Sequence, residues 1–288
     1  MVANLPGSGR SYAPPRESTG YRCAMSNIDY DVRDEVAHVR LNRPDKHNAL
    51  TLDMIDDLAS AADRAAKDRS LRAVILSGEG PSFCSGLDFA SAGKQRGRIM
   101  RNLVPKRSTA ANNFQAAGWA WRSVPVPVIA VVHGHCYGGG LQIALGADFR
   151  FSARDADYSI LEAKWGLIPD MSLSASIAQL TGIDVAKRLT MTGEMFDAEQ
   201  ALGWGLVSSV DDDPLAAATE LVDAVKERSP DAVAASKALF ENTWYSGSRL
   251  SFPVEQTLQV RLLRGKNAAI ARKAGAERTK PDFVERQL

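Results

Sequence analysis

Two short apolar runs, Ala73-Val74-Ile75-Leu76 and Val126 to Val132, constrain this chain most. Neither alternates apolar with polar residues, so each reads as a strand covered on both faces. Each also runs into a glycine-bearing loop: Ser82 to Asp88 after the first, Gly134 to Gly140 after the second. Ahead of them, Val36, Val39 and Leu41 sit among polar residues as in a strand, and Asn42-Arg43-Pro44-Asp45 breaks it. Thr51 is placed to cap a helix reaching about Lys67, with Met54, Ile55, Leu58 and Ala62 at helical spacing. The spacing predicts a further helix over 141–145 and strands over 148–151 and 206–210. Strands alternating with helices demand a parallel sheet with right-handed crossovers. After Asp213-Pro214 only helices are expected, over about 214–228, 230–243, 251–264 and 266–275. The stretch 92–112 is basic and reads as irregular.

The chain has 288 residues, of which 45% are hydrophobic, enough for one large core with an appendage. Lys and Arg number 35 against 34 Asp and Glu, so no global charge draws it to nucleic acid or to a membrane surface. Its three cysteines, with no CxxC pair and no His/Cys cluster, argue against a disulfide framework or a zinc site and for a reducing cytoplasm. Residues 1–24 are rich in Gly, Ser and Pro without an apolar stretch, and are expected to be a disordered leader, with Met25 as an alternative start.

The two loops place small residues where main chain can approach a ligand closely. The second opens a helix, whose first N–H groups have no partner within it. Two main-chain N–H groups converging on one oxygen form an oxyanion hole, and removing one such donor typically costs about 3–4 kcal/mol of transition-state stabilisation. Read alone, each loop is an ordinary tight turn. No GxSxG elbow, Walker loop or dinucleotide GxGxxG is present, and Ser85 has no evident base. His133 and His135 flank Gly134 without further ligand-like neighbours. Trp119, Trp121 and Trp165 suit a core or a pocket wall.

Four segments together resemble the crotonase superfamily: Asn42-Arg43-Pro44 with Asn48-Ala49-Leu50; Phe83 to Asp88; Gly134 to Gly140; and Trp165-Gly166-Leu167-Ile168-Pro169. The resemblance runs from about Asp29 to about Phe283. It implies an α/β fold, a spiral core of ββα units over 25–213 with a helical trimerisation region over 214–288, assembled as a homotrimer or dimer of trimers. It implies an acyl-CoA substrate, no metal, and no cofactor beyond the coenzyme A carried by the substrate. By the same resemblance the oxyanion donors are Leu87 and Gly139, and the CoA moiety lies along Lys46, Ala49, Leu50, Ser85 and Asp88.

Acid and base depart from the family pattern. Hydratases of the superfamily hold one water between two glutamates. One matches Glu162; the other falls on Gln142, whose amide hydrogen-bonds but does not exchange a proton near neutral pH. A third carboxylate, Asp170, stands where dienoyl-CoA isomerases of the superfamily place an acid that works with the residue matching Glu162. Those enzymes also carry aspartate at the position of Gln142, so the match is partial. Other roles are open: Gln142 bonding a neighbouring loop, Glu162 as a surface residue at a strand end, Asp170 capping a helix begun near Ser172. The expected function is an enoyl-CoA hydratase/isomerase with Glu162 as acid and base. The alternatives are a dienoyl-CoA isomerase using Glu162 and Asp170, a silent acyl-CoA binder, and another reaction on the same oxyanion hole.

Overall fold

The structure is a computed structural model and describes residues 22–24, 27–105 and 111–288. Ten strands form two sheets. In chain order they are β1 (Arg22–Ala24), β2 (Ile28–Arg33), β3 (Val36–Leu41), β4 (Ala73–Gly78), β5 (Val128–Val132), β6 (His135–Tyr137), β7 (Phe149–Ala153), β8 (Asp157–Ser159), β9 (Met195–Asp197) and β10 (Ser209–Asp211). The larger sheet runs β1-β2-β3-β4-β5-β7-β10, antiparallel through β3 and parallel from β3 onward. The smaller runs β6-β8-β9. A bridge between Cys84 and Cys136 adds the first glycine loop to the outer side of β6. Each turn of the chain therefore crosses the large sheet and then contributes to the small one, β4 to Cys84, β5 to β6 and β7 to β8, which is the expected spiral.

The unbroken apolar runs have a direct cause. Val74, Leu76, Val128, Ala130 and Val132 face the main core, which the Leu52–Lys67 helix closes with Met54, Ile55, Leu58 and Ala62. Ala73, Ile75, Ile129 and Val131 face the other way, onto Ala218 and Val222 of the Pro214–Lys226 helix. Both faces of β4 and β5 are thus dry, and polar alternation has no use there. Thr51 caps the first helix as expected, its side chain accepting from the Met54 N–H at 3.2 Å.

Several expectations need correction. The leader ends earlier than residue 24, because Arg22–Ala24 pairs with β2; residues 1–21 lie outside the described residues. β2 carries Ile28, Tyr30 and Val32 at period two, a signal present in the sequence but not used. β5 starts at Val128 instead of Val126, since Pro127 has no N–H for a ladder. The last strand lies over Ser209–Asp211, because the Leu206 N–H turns back onto Ala201 O at 2.8 Å. The stretch 92–112 is helical in part, with a helix over Arg96–Asn102 whose Arg98 meets Asp53 and Asp56 at 2.6 and 2.7 Å. Residues 106–110 lie outside the described residues.

A partly buried ion pair also ties the helical tail to the sheet. Lys237, on the Pro230–Thr243 helix, reaches Asp148 at 2.6 Å and the carbonyls of Trp121 and Val126 at 3.1 and 3.2 Å. Asp148 also accepts from the Val128 N–H at 2.8 Å, at the head of β5. By contrast the Ser248–Arg264 helix has no buried residue. Replacing Lys237 with Met leaves the Asp148 charge buried without its partner, so it should cost about 3 kcal/mol or more. Chemical denaturation checks this, and adding Asp148→Asn should recover part of the loss.

Candidate active site

The two glycine loops are zipped together by main-chain hydrogen bonds. Phe83 N donates to His133 O at 2.8 Å, Cys84 N to His135 O at 2.9 Å, and Tyr137 N to Cys84 O at 2.9 Å. The contact leaves no room for side chains. A Cβ on Gly140 would lie 2.6 Å from Cys84 Cβ and 2.7 Å from Cys84 O. Gly86, at φ +94°, and Gly138, at φ +50°, adopt backbone that L-residues avoid, and a Cβ on Gly86 would sit 3.2 Å from Tyr137 O. This packing carries Leu87, next to Gly86, up to Gly139.

Both proposed donors are available. Leu50 bridges Leu87 through the Leu50 N–H to Gly86 O at 2.8 Å and the Asp88 N–H to Leu50 O at 2.9 Å. In that pairing the Leu87 N–H points away from Leu50. Gly139 is the first residue of the Gly139–Ala144 helix, so its N–H has no partner within the helix. A Cβ on Gly139 would meet Met171 Sδ at 2.9 Å and Leu50 Cδ1 at 3.0 Å, so these two apolar side chains wall the spot.

Glu162 lies on the short 3-10 helix Leu161–Trp165 after β8, beside Gly138; a Cβ there would be 3.2 Å from Glu162 Oε1. Gln142 is buried one turn into the Gly139–Ala144 helix. Its Nε2 donates to Glu162 Oε1 at 2.7 Å, and its Oε1 accepts from the Met171 N–H at 2.8 Å. Glu162 Oε2 is buried with no hydrogen-bond partner. Burial raises the Glu162 carboxyl and the Asp170 charge adds to the rise, while the Gln142 donor opposes it. Desolvation raises Asp170 as well, although it is the more exposed of the two. It does not cap the next helix: Ser172 occupies that cap and no side chain bonds there.

The remaining sequence candidates divide. Lys46 is exposed and Ser85 half-buried, both on the outer side of the first loop. Leu50 is fully buried with both main-chain groups committed. The Ala49 carbonyl is taken by Arg43, which also pairs with Asp88 at 3.1 Å; Asp88 in turn accepts from the Ser91 N–H at 3.0 Å and caps the Phe89–Ala92 helix. Sequence reasoning missed the supports. Asn48, wholly buried, accepts from Arg43 N at 2.7 Å and donates to Glu79 O and Ser82 O at 2.9 and 2.7 Å, stapling the 42–50 segment to the first loop. Asn48 and Arg43 were quoted as motif residues, but a motif does not disclose its bonds. Trp121 is core, whereas Trp165 is exposed and meets Phe89 at 4.8 Å between ring centroids.

A raised carboxyl has a testable sign. Glu162 should titrate above the ordinary glutamate value of 4.5, and Asp170→Asn should lower its midpoint by removing a neighbouring negative charge. Carbon NMR of labelled protein reads both. Protonated Glu162 favours the folded state, so that stability is present below 4.5 and lost as pH rises through the raised value. Glu162→Gln should therefore gain stability relative to the parent from acid to neutral pH.

Comparison with known proteins places this geometry. A peroxisomal Delta(3,5)-Delta(2,4)-dienoyl-CoA isomerase of Arabidopsis thaliana is 28% identical over 257 residues, 80% of this chain and 91% of that protein. Enoyl-CoA hydratase EchA19 of Mycobacterium tuberculosis is 30% identical over 253 residues, 86% of this chain and 92% of that protein. The crystal structure of an enoyl-CoA hydratase from Mycobacterium tuberculosis H37Rv superposes with a TM-score of 0.77 at 27% identity, over 90% of this chain and 98% of that one. Residues 31–286 match the family described as Enoyl-CoA hydratase/isomerase, and the chain belongs to that family.

Proposed function

We propose that this enzyme shifts double bonds in an unsaturated acyl-CoA, as a dienoyl-CoA isomerase does, with Glu162 and Asp170 as the proton-exchanging pair. The observation that carries this reading is the state of Gln142. Its amide is committed at both ends, to Glu162 and to the Met171 N–H. It has no proton to trade with a water, so Asp170 is the second carboxylate that acts on Glu162. The resemblance to the Arabidopsis dienoyl-CoA isomerase supports the same choice. Hydration is the second reading, favoured by the likeness to EchA19, and would leave Glu162 to activate and protonate alone.

In the proposed reaction Glu162 Oε2 removes a proton from the carbon beside the thioester. The electron pair moves into the conjugated system and onto the thioester oxygen, where the Leu87 and Gly139 N–H groups receive the charge. The two carboxyls share one proton, so Asp170 holds it while Glu162 is ionised and then delivers it to the far carbon. One C–H bond breaks and another forms, with no net change in atoms or charge. Exchange with water, open to Asp170, resets the pair. The reaction needs no group beyond the CoA of the substrate, for which Lys46 and Ser85 are the more accessible contacts, with Ala49, Leu50 and Asp88 shaping that side. We further infer a cytoplasmic protein, and a homotrimer or dimer of trimers supported by Phe240, Trp244, Tyr245, Leu250 and Phe252, all exposed on two tail helices and the turn between them. No helix among the described residues is long and apolar enough to cross a membrane.

A 3,5-dienoyl-CoA substrate tests the reading, followed by the rise in absorbance of the product diene conjugated with the thioester carbonyl. Asp170→Asn and Glu162→Gln should each lower kcat by roughly 10²–10⁴-fold. A trans-2-enoyl-CoA should be hydrated far more slowly than the diene is isomerised. Full activity in Asp170→Asn, or hydration faster than isomerisation, would overturn it.

A further inference from the structure

We propose that Gln142 is a positioning residue that brackets both carboxylates and leaves Glu162 Oε2 as the one oxygen free to move a proton. The proposal rests on the isomerase reading. Its basis is the direction of two hydrogen bonds. The Met171 N–H, a donor, fixes the Gln142 carbonyl oxygen at 2.8 Å, so the amide nitrogen must face Glu162, where it donates at 2.7 Å. Flipping the amide would set two donors against each other at Met171 and two acceptors at Glu162. With only 1% of Gln142 exposed, water cannot repair that mismatch.

The bracket joins three parts of the site. Gln142 stands on the Gly139–Ala144 helix, which carries the Gly139 donor. One end of its amide holds the 3-10 helix bearing Glu162; the other holds the main chain next to Asp170. A single side chain therefore links the Glu162 carboxylate to the main chain that follows Asp170. The same bond occupies Glu162 Oε1, and Glu162 Oε2 remains buried and unpartnered. A carboxylate at position 142 could accept from Met171 but could offer Glu162 only a shared proton, which drives one of two close carboxyls upward. The amide thus keeps Glu162 ionisable despite burial. Asp170 is the charged group that opposes the ionisation of Glu162; the main-chain N–H of Glu162 and the Gln142 amide are the donors that counter burial.

Two variants test this, Gln142→Leu, which removes both bonds, and Gln142→Glu, which keeps an acceptor for Met171. Two readouts are taken: the Glu162 titration by carbon NMR, which needs no turnover, and the pH dependence of dienoyl-CoA isomerisation. In both variants the Glu162 midpoint should rise by about one pH unit or more, as expected for loss of a hydrogen bond to a charged group. The acid limb of kcat/KM should move with it, and kcat should fall at least tenfold. If Gln142→Leu fails to fold, the isosteric Gln142→Met, which also removes both bonds and adds no charge, gives the answer. An unmoved midpoint in either folded variant overturns the bracket. A moved midpoint in a protein that does not isomerise dienes upholds the bracket and overturns the isomerase reading instead.

Discussion

The whole site depends on how closely two stretches of main chain can approach. Cys84 and Cys136 pair as in a parallel ladder, and the glycines around them let the loops touch without side chains between. This contact is cheap to specify and hard to vary. Gly140 has no space for a methyl group because Cys84 backbone fills it, and Gly86 and Gly138 have dihedral angles that a Cβ would strain. Close packing of this kind converts a sequence of small residues into a rigid geometry. It needs supports from outside the loops, which Asn48 and the Arg43–Asp88 pair supply. The segment ahead of the first helix is in this sense part of the site although it carries no reacting group.

Set against that rigid frame, Glu162 is an electrostatic compromise. Burial and Asp170 both push against its ionisation, and two donors, its own main-chain N–H and the Gln142 amide, pull the other way. A buried carboxylate oxygen without a partner costs stability unless something uses it. Folding alone gives Glu162 Oε2 no reason to be there, so the cost points to chemistry with a bound substrate.

The fold was legible where the physics is local and repeated. The runs at 73–76 and 128–132 are covered on both faces and so lack polar residues, and the Thr51 helix has both its cap and its period. The smaller sheet was not legible, because β6, β8 and β9 are three residues each and no pattern fits in three residues. The strand near the end of the core was displaced for a similar reason. Leu206 and Val207 look like strand residues but are buried by turning back over a helix end, which is a tertiary bond and leaves no periodic trace. At the site, Glu162, Asp170 and Gln142 stand out from the family pattern, but that Gln142 joins Glu162 to the Met171 main chain does not. Hydrogen bonds between residues 20 and 29 positions apart follow from the spiral and have no local signature.

A division of labour follows between main chain and side chain. The proposed oxyanion donors are N–H groups of Leu87 and Gly139, so their placement depends on loop shape and tolerates change in the side chains around them. The proposed proton transfer has no such protection, because it would rest on what stands at 142, 162 and 170. Exchanging an amide for a carboxylate at one of these positions alters how many protons the group holds while leaving the loops untouched. One frame can therefore serve hydration and isomerisation alike, as the relatives of this chain illustrate. In this chain the amide of Gln142 is buried and bonded at both ends, so changing its chemistry also changes what holds Met171 and Glu162 in place. Reaction choice and site geometry are coupled at residue 142, and a switch of activity there carries a structural cost that a surface residue would not impose.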